Sequence, residues 1–175
     1  MSKLIDDLRE AIEGKDVLIV GLGNRIRGDD GVGAYVAEEL FKRGVDNVLN
    51  AENAVENVLS IIAMKKPDVI ILIDAIDGGL EPGNVIFGTL EGISDKGYRL
   101  ITTHNMPLTL MMEILKELMG KMPRVYILGI QIERIDVRDE LSPRVKESAD
   151  IVVGILQHLL SGSQPYKPSI KPGSI

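Results

Sequence analysis

The run Val69-Ile70-Ile71-Leu72-Ile73, closed by Asp74, constrains the fold more than any other stretch of this chain. It is too short for a helix and apolar on both alternating faces. A strand of that kind belongs inside a mostly parallel sheet with helices on both sides. Shorter runs repeat the theme: Asp16 to Gly21 with Val17-Leu18-Ile19-Val20 at its centre, Asn47 to Asn50, and Val125 to Ile132. Between them lie stretches of helical period. Residues 2–13 place Leu4, Leu8, Ala11 and Ile12 on one side and end at Gly14. Residues 31–43 turn Val32, Tyr35, Val36, Leu40 and Phe41 inward, and residues 55–65 do the same with Val55, Val58, Leu59 and Ile62. Pro107 suits the first turn of a helix that runs to Met119, with Leu108, Met111, Met112, Leu115 and Leu118 apolar. A last helix covers residues 143–160. Strands alternating with helices imply an α/β sandwich with a mostly parallel sheet. The segment Asp74 to Gly83 is too short to hold a crossover helix, so the strand Asn84 to Leu90 should run opposite to its predecessor. Residues 91–106 read as an irregular loop. Residues 1–160 form a single domain, and residues 161–175, with Pro165, Pro168 and Pro172, read as a flexible tail.

Charge and composition exclude several functions. The 175-residue chain has a net charge of −6, which argues against a nucleic-acid or anionic-membrane surface. It has no cysteine, hence no disulfide, thiolate metal site or cysteine nucleophile. That fits a reducing cytoplasm, as it would a disulfide-free secreted protein. The acidic start, with Asp6, Asp7, Glu10 and Glu13, is not a signal peptide, and no apolar run reaches the ~20 residues of a membrane span.

In such sheets ligands bind at the carboxyl ends of the strands. At the end of the first strand lies Gly21-Leu22-Gly23-Asn24-Arg25-Ile26-Arg27-Gly28-Asp29-Asp30-Gly31-Val32-Gly33. A glycine-rich turn of this sort usually cradles phosphate, but two adjacent carboxylates would repel it. A dinucleotide fingerprint also fails, because Ile26 stands where its third glycine should be. Asp29 and Asp30 could cap the following helix; the division adopted gives Asp29 the loop and turns Asp30 to the cleft. Asp74 ends the third strand, where it could begin a turn or face a ligand, and Asp77 suits the turn better. His104 lies in Thr102-Thr103-His104-Asn105-Met106-Pro107, as a loop or capping residue or as a ligand; His158 belongs to solvent.

Asp30, Asp74 and His104 together supply two carboxylates and one imidazole. Three ligands with open positions suit a catalytic metal, and mixed N/O donors suit nickel, zinc, manganese or iron. Such an ion could polarise a carbonyl or activate water. Without one, the carboxylates could divide acid and base roles. Spacing does not choose between these.

At these residues the chain resembles the [NiFe]-hydrogenase maturation endopeptidases. The resemblance rests on the Gly21–Gly33 motif, on Asp74-Ala75 after the apolar strand, and on His104 ahead of Pro107, and it covers about residues 16–160. It implies a three-layer α/β/α sandwich whose five-stranded mixed sheet has one antiparallel strand. It implies removal of a C-terminal extension from the hydrogenase large-subunit precursor after nickel insertion, in the cytoplasm and without membrane insertion. The family's metal-contacting positions fall on Asp30, Asp74 and His104; the same three are taken here as the catalytic candidates, with Gly23, Asn24, Asp29 and Gly31 shaping the loop. Nickel would come with the substrate as a recognition element, with other divalent metals as surrogates. No HExxH zinc motif is present. A non-catalytic, metal-sensing checkpoint protein of hydrogenase assembly is the alternative, and a nucleotide-binding protein a third. Residues 2–13 precede the family's usual start, and Ala51-Glu52-Asn53-Ala54 replaces a loop that is often glycine-rich there.

Overall fold

The computed structural model describes residues 1–101 and 106–161. In chain order the elements are α1 (Ser2–Ile12), β1 (Val17–Leu22), α2 (Val32–Lys42), β2 (Val48–Glu52), α3 (Leu59–Lys65), β3 (Val69–Asp77), β4 (Val85–Thr89), α4 (Leu90–Asp95), β5 (Arg99–Leu100), α5 (Leu108–Met119), β6 (Arg124–Gln131) and α6 (Pro143–Ser161). Single 3₁₀ turns at Gly28–Gly31 and Val55–Val58 lead into α2 and α3.

The strands form one sheet in the order β2-β1-β3-β6-β4, with β5 added beside the end of β3. β2, β1, β3 and β6 are mutually parallel, and β4 runs antiparallel along β6. Side-chain alternation divides the core. Val17 and Ile19 of β1, Val69, Ile71 and Ile73 of β3, and Leu128 and Ile130 of β6 pack with α1, α2 and α6. Leu18, Val20, Ile70, Leu72, Val125 and Ile127 point the other way, into α3, α4 and α5. Every residue of β1 and all but the last of β3 are buried, which is the reason both read as continuous apolar runs.

This order makes a switch point. From β1 the chain leaves through α2 on one face to reach β2, then returns through α3 on the other face to reach β3 on the opposite side of β1. The two connections part at the carboxyl ends of β1 and β3, where open α/β sheets leave a crevice.

Several expectations change. Residues 91–106 are not all irregular. Thr89 caps α4, its Oγ1 accepting from Gly92 N–H at 3.2 Å, and Ile93 anchors it at 3% exposure. β5 then folds back on β3 through Ile76–Leu100 and Asp77–Arg99. Asp74 lies inside β3 rather than at its end, because pairing with β6 continues to Ile76–Gln131. Pairing with β1 does stop at Gly21–Ile73, one residue before it. Phe41 and Leu118 are exposed, 70% and 56%, at the outer margins of their helices. α6 keeps Ser161, and residues 162–175 lie outside the described residues. α1 belongs to the core, burying Leu8 and Ile12. Among the described residues no helix is long and apolar enough to cross a membrane.

Candidate active site

Glycine geometry brings the first loop onto the end of the sheet. A Cβ at Gly33 would fall 2.1 Å from the Ile73 carbonyl oxygen and 2.2 Å from that of Leu22. One at Gly21 would fall 2.2 Å from the Gly33 oxygen. Only bare backbone lets α2 start against β1 and β3 so closely. The Gly28–Gly31 turn that carries Asp30 consequently packs against β3, which carries Asp74. His104, the third residue of the expected set, lies outside the described residues.

The loop is closed on itself. Gly23 adopts φ +133°, and its N–H donates to the Glu52 carbonyl at 2.6 Å. Asn24 Oδ1 accepts from Ile26 N–H and its carbonyl from Arg27 N–H, both at 3.1 Å. A Cβ at Gly31 would meet Arg25 Cα at 2.9 Å.

The adjacent aspartates have different surroundings. Asp29 is fully buried, and its carboxylate collects four hydrogen bonds from the β6–α6 loop. Oδ2 accepts from Glu133 N–H at 2.9 Å, Arg134 N–H at 3.0 Å and the Ser142 hydroxyl at 2.9 Å; Oδ1 accepts from Ser142 N–H at 2.7 Å. Backbone bonds from Gly28 N–H to Arg138 O, Asp29 N–H to Arg134 O and Arg138 N–H to Ile26 O complete the seam. The N-cap position of α2 is Gly31, which brings no capping side chain of its own. Asp30 is 3% exposed, with Arg27 Nη1 3.5 Å from its Oδ2. Asp74 is fully buried, and its Oδ1 accepts the N–H of Ala75 at 2.8 Å. Gly23, Asn24, Asp29 and Gly31 thus all bear on the path of the loop.

Gln131, Ser142 and Arg27 matter here without having stood out in the sequence. Gln131 is 4% exposed at the end of β6. Its Oε1 accepts from Gly78 N–H at 2.9 Å and Leu80 N–H at 3.3 Å, and its Nε2 donates to the Ile132 carbonyl at 3.1 Å. It therefore ties down the turn that follows β3. A polar residue inside Val125–Ile132 was the available signal. Ser142 before Pro143 reads only as a helix start. Asp77 closes β3 in an ion pair with Arg99 at 3.3 Å, and His158 is exposed.

Beside the loop, Arg25 lies over the Tyr35 ring, 5.1 Å from its centroid. Tyr35 donates its hydroxyl hydrogen to Asp150 Oδ1 at 2.5 Å, and Lys146 Nζ donates to Oδ2 at 2.7 Å. Burial and the bond to Asp150 push the Tyr35 phenol up. Burial opposes ionisation of Asp150, but the bonds from Lys146 and Tyr35 outweigh it and hold that carboxyl below its usual range. The cluster joins α2 to α6.

Buried carboxylates and a tied loop at a switch point can hold a divalent ion or manage protons; they do not form a phosphate cradle. The profile described as "Hydrogenase maturation protease" matches residues 34–158. The chain is 32% identical over 139 residues to the hydrogenase 3 maturation protease of Escherichia coli K12, covering 78% of this chain and 85% of that one. The crystal structure of a [NiFe] hydrogenase maturation protease from Thermococcus kodakarensis superposes with a TM-score of 0.73 at 30% identity, covering 89% of this chain and 99% of the other. The solution structure of an endopeptidase from Escherichia coli gives 0.67 at 29%, covering 82% and 90%. With the fold and these matches together, the chain belongs to the hydrogenase maturation protease family and is a peptide hydrolase.

Proposed function

We propose that this enzyme removes the C-terminal extension of a [NiFe]-hydrogenase large-subunit precursor after nickel insertion, in the cytoplasm, and that the nickel arrives on the substrate. The observation that carries the reading is the pair of buried carboxylates, Asp30 on the turn after β1 and Asp74 on β3, at one end of the sheet. The donor chemistry fits. Carboxylate oxygens with an imidazole from His104 suit a divalent ion and leave coordination positions open. Substrate thiolates would complete the shell, so that the precursor seats only once it is loaded. The same carboxylates would then orient water against the scissile peptide.

Purified protein mixed with nickel-loaded and nickel-free precursor, followed by intact mass, tests this. Shortening of the loaded form alone is expected. Binding without shortening would sink the endopeptidase reading in favour of a checkpoint role, and equal shortening of both forms would sink nickel recognition. Asp30→Asn, Asp74→Asn and His104→Ala should each abolish processing, while His158→Ala should leave it unchanged.

A further inference from the structure

One charged contact at the proposed site has no part in that reading. Asp30's side chain is 5% exposed, yet the guanidinium 3.5 Å from its Oδ2 belongs to a side chain 55% exposed. Arg27 is not needed there to hold the loop. Its N–H already donates to the Asn24 carbonyl, and its backbone bridges to Arg138. The backbone thus stands without the ion pair, and a permanent positive charge is set on the solvent side of a buried carboxylate.

We propose that Arg27 is a charge filter and a specificity-determining residue: it disfavours a bare divalent cation at Asp30 and admits nickel as a thiolate-ligated centre. The inference rests on the reading of Asp30 as a metal contact. A guanidinium stays protonated at any working pH. It lies against one of the two oxygens that a metal could use, so a bare ion must displace it or sit beside a like charge. Adding a metal–oxygen bond of about 2 Å to the observed separation puts the two cations about 5–6 Å apart. At that distance, in a water-like dielectric, the repulsion between one and two charges is worth roughly tenfold in affinity. Two thiolates cancel the charge of Ni²⁺, and the repulsion disappears. A cell's free metal would then compete poorly with the metal carried by the precursor.

Calorimetric titration of the whole chain with Ni²⁺ alone, and with Ni²⁺ held by a two-cysteine peptide, tests the filter. Arg27→Gln, with Arg27→Ala as a second neutral variant, should bind the bare ion about tenfold tighter than the parent, and Arg27→Lys should match the parent. For the peptide-bound ion no neutral variant should gain. The gain for the bare ion should shrink between about 0.05 and 0.5 M salt. No gain with the bare ion, or an equal gain with both forms, overturns the filter. Asp30→Asn separates the two levels of the argument. If it leaves Ni²⁺ binding unchanged, the metal reading fails and the filter with it. If it abolishes binding while Arg27→Gln changes nothing, the filter alone fails. Thermal melting of each variant shows that the compared proteins are folded.

Discussion

Replacing Asp29 by alanine should be among the costliest single changes to a polar residue of this protein, and the structure permits the cost to be worked out. Four donors lose one carboxylate. The Ser142 N–H and hydroxyl belong to a residue 1% exposed, so water does not replace their acceptor readily. Each buried donor left unmade costs about 1–3 kcal/mol. Glu133 and Arg134 are exposed residues, so their amides regain water and lose only the ordinary net value of a bond, about 1 kcal/mol each. The sum is about 4–8 kcal/mol, a large share of the 5–15 kcal/mol typical of a folded domain. For a chain of this size that lowers Tm by about 8–32 °C. Asp29→Asn should cost less, about 2 kcal/mol. An amide oxygen in the place of Oδ2 still accepts three of the bonds, and only the NH₂ set against Ser142 N–H is wrong. Urea and thermal unfolding, with processing measured well below Tm, provide the assay. An alanine variant within about 1 kcal/mol of the parent would show that the seam to the β6–α6 loop contributes little. An asparagine variant as damaged as the alanine one would show that the count of acceptors is not what matters.

Gly33→Ala and Gly21→Ala should leave little folded protein by circular dichroism, because their Cβ atoms would meet backbone carbonyl oxygens at 2.1–2.2 Å. Gly44→Ala, at φ +82° with nothing within 4 Å, should cost only about 1 kcal/mol of left-handed backbone. Glu52 is a non-glycine residue at φ 53°, so Glu52→Gly should raise the urea midpoint, by up to about 1 kcal/mol of stability. Asp150→Ala should destabilise near neutrality, and the gap to the parent should close at both pH extremes. The depressed carboxyl of Asp150 gives a contribution present above the unfolded carboxylate range and lost as pH falls through its folded value. The raised Lys146 and Tyr35 give one present below their unfolded values and lost as pH rises through the folded ones. Urea midpoints measured across pH would reveal a gap of constant size if that coupling were absent.

The layered fold was legible because β1 and β3 are buried on both faces and advertise it as unbroken apolar runs. The direction of β4 was legible from the shortness of Asp74–Gly83. Its place beside β6 rather than β3 was not, since pairing partners are chosen by register and packing that local spacing does not carry. α4 and β5 hid for a different reason: with six and two residues they are too short to develop a period, and tertiary contacts through Ile93 and Ile76–Leu100 hold them. Asp30 and Asp74 could be proposed from the rule that strand ends carry sites. Arg27, Gln131 and Ser142 could not, because each matters through a partner 3 to 113 residues away in sequence.

The adjacency of Asp29 and Asp30 is where sequence says least and geometry says most. On an α-helix, neighbouring side chains already point about 100° apart. The Gly28–Gly31 segment is a 3₁₀ turn, in which successive side chains diverge by about 120° and the next repeat falls three residues on. Asp29 reaches across the chain to residues 133–142, while Asp30 has Arg27, three residues earlier, beside its carboxylate. The flanking glycines make that tight turn feasible: Gly28 takes φ +61°, and Gly31 has no room for a side chain against Arg25. One carboxylate fixes the loop so that the other can be held at the crevice at little cost in mobility. Exchanging their roles by substitution should therefore fail in two distinguishable ways. Loss at Asp29 should appear first in the melting curve, and loss at Asp30 in the mass of the precursor while the melting curve stays close to the parent's.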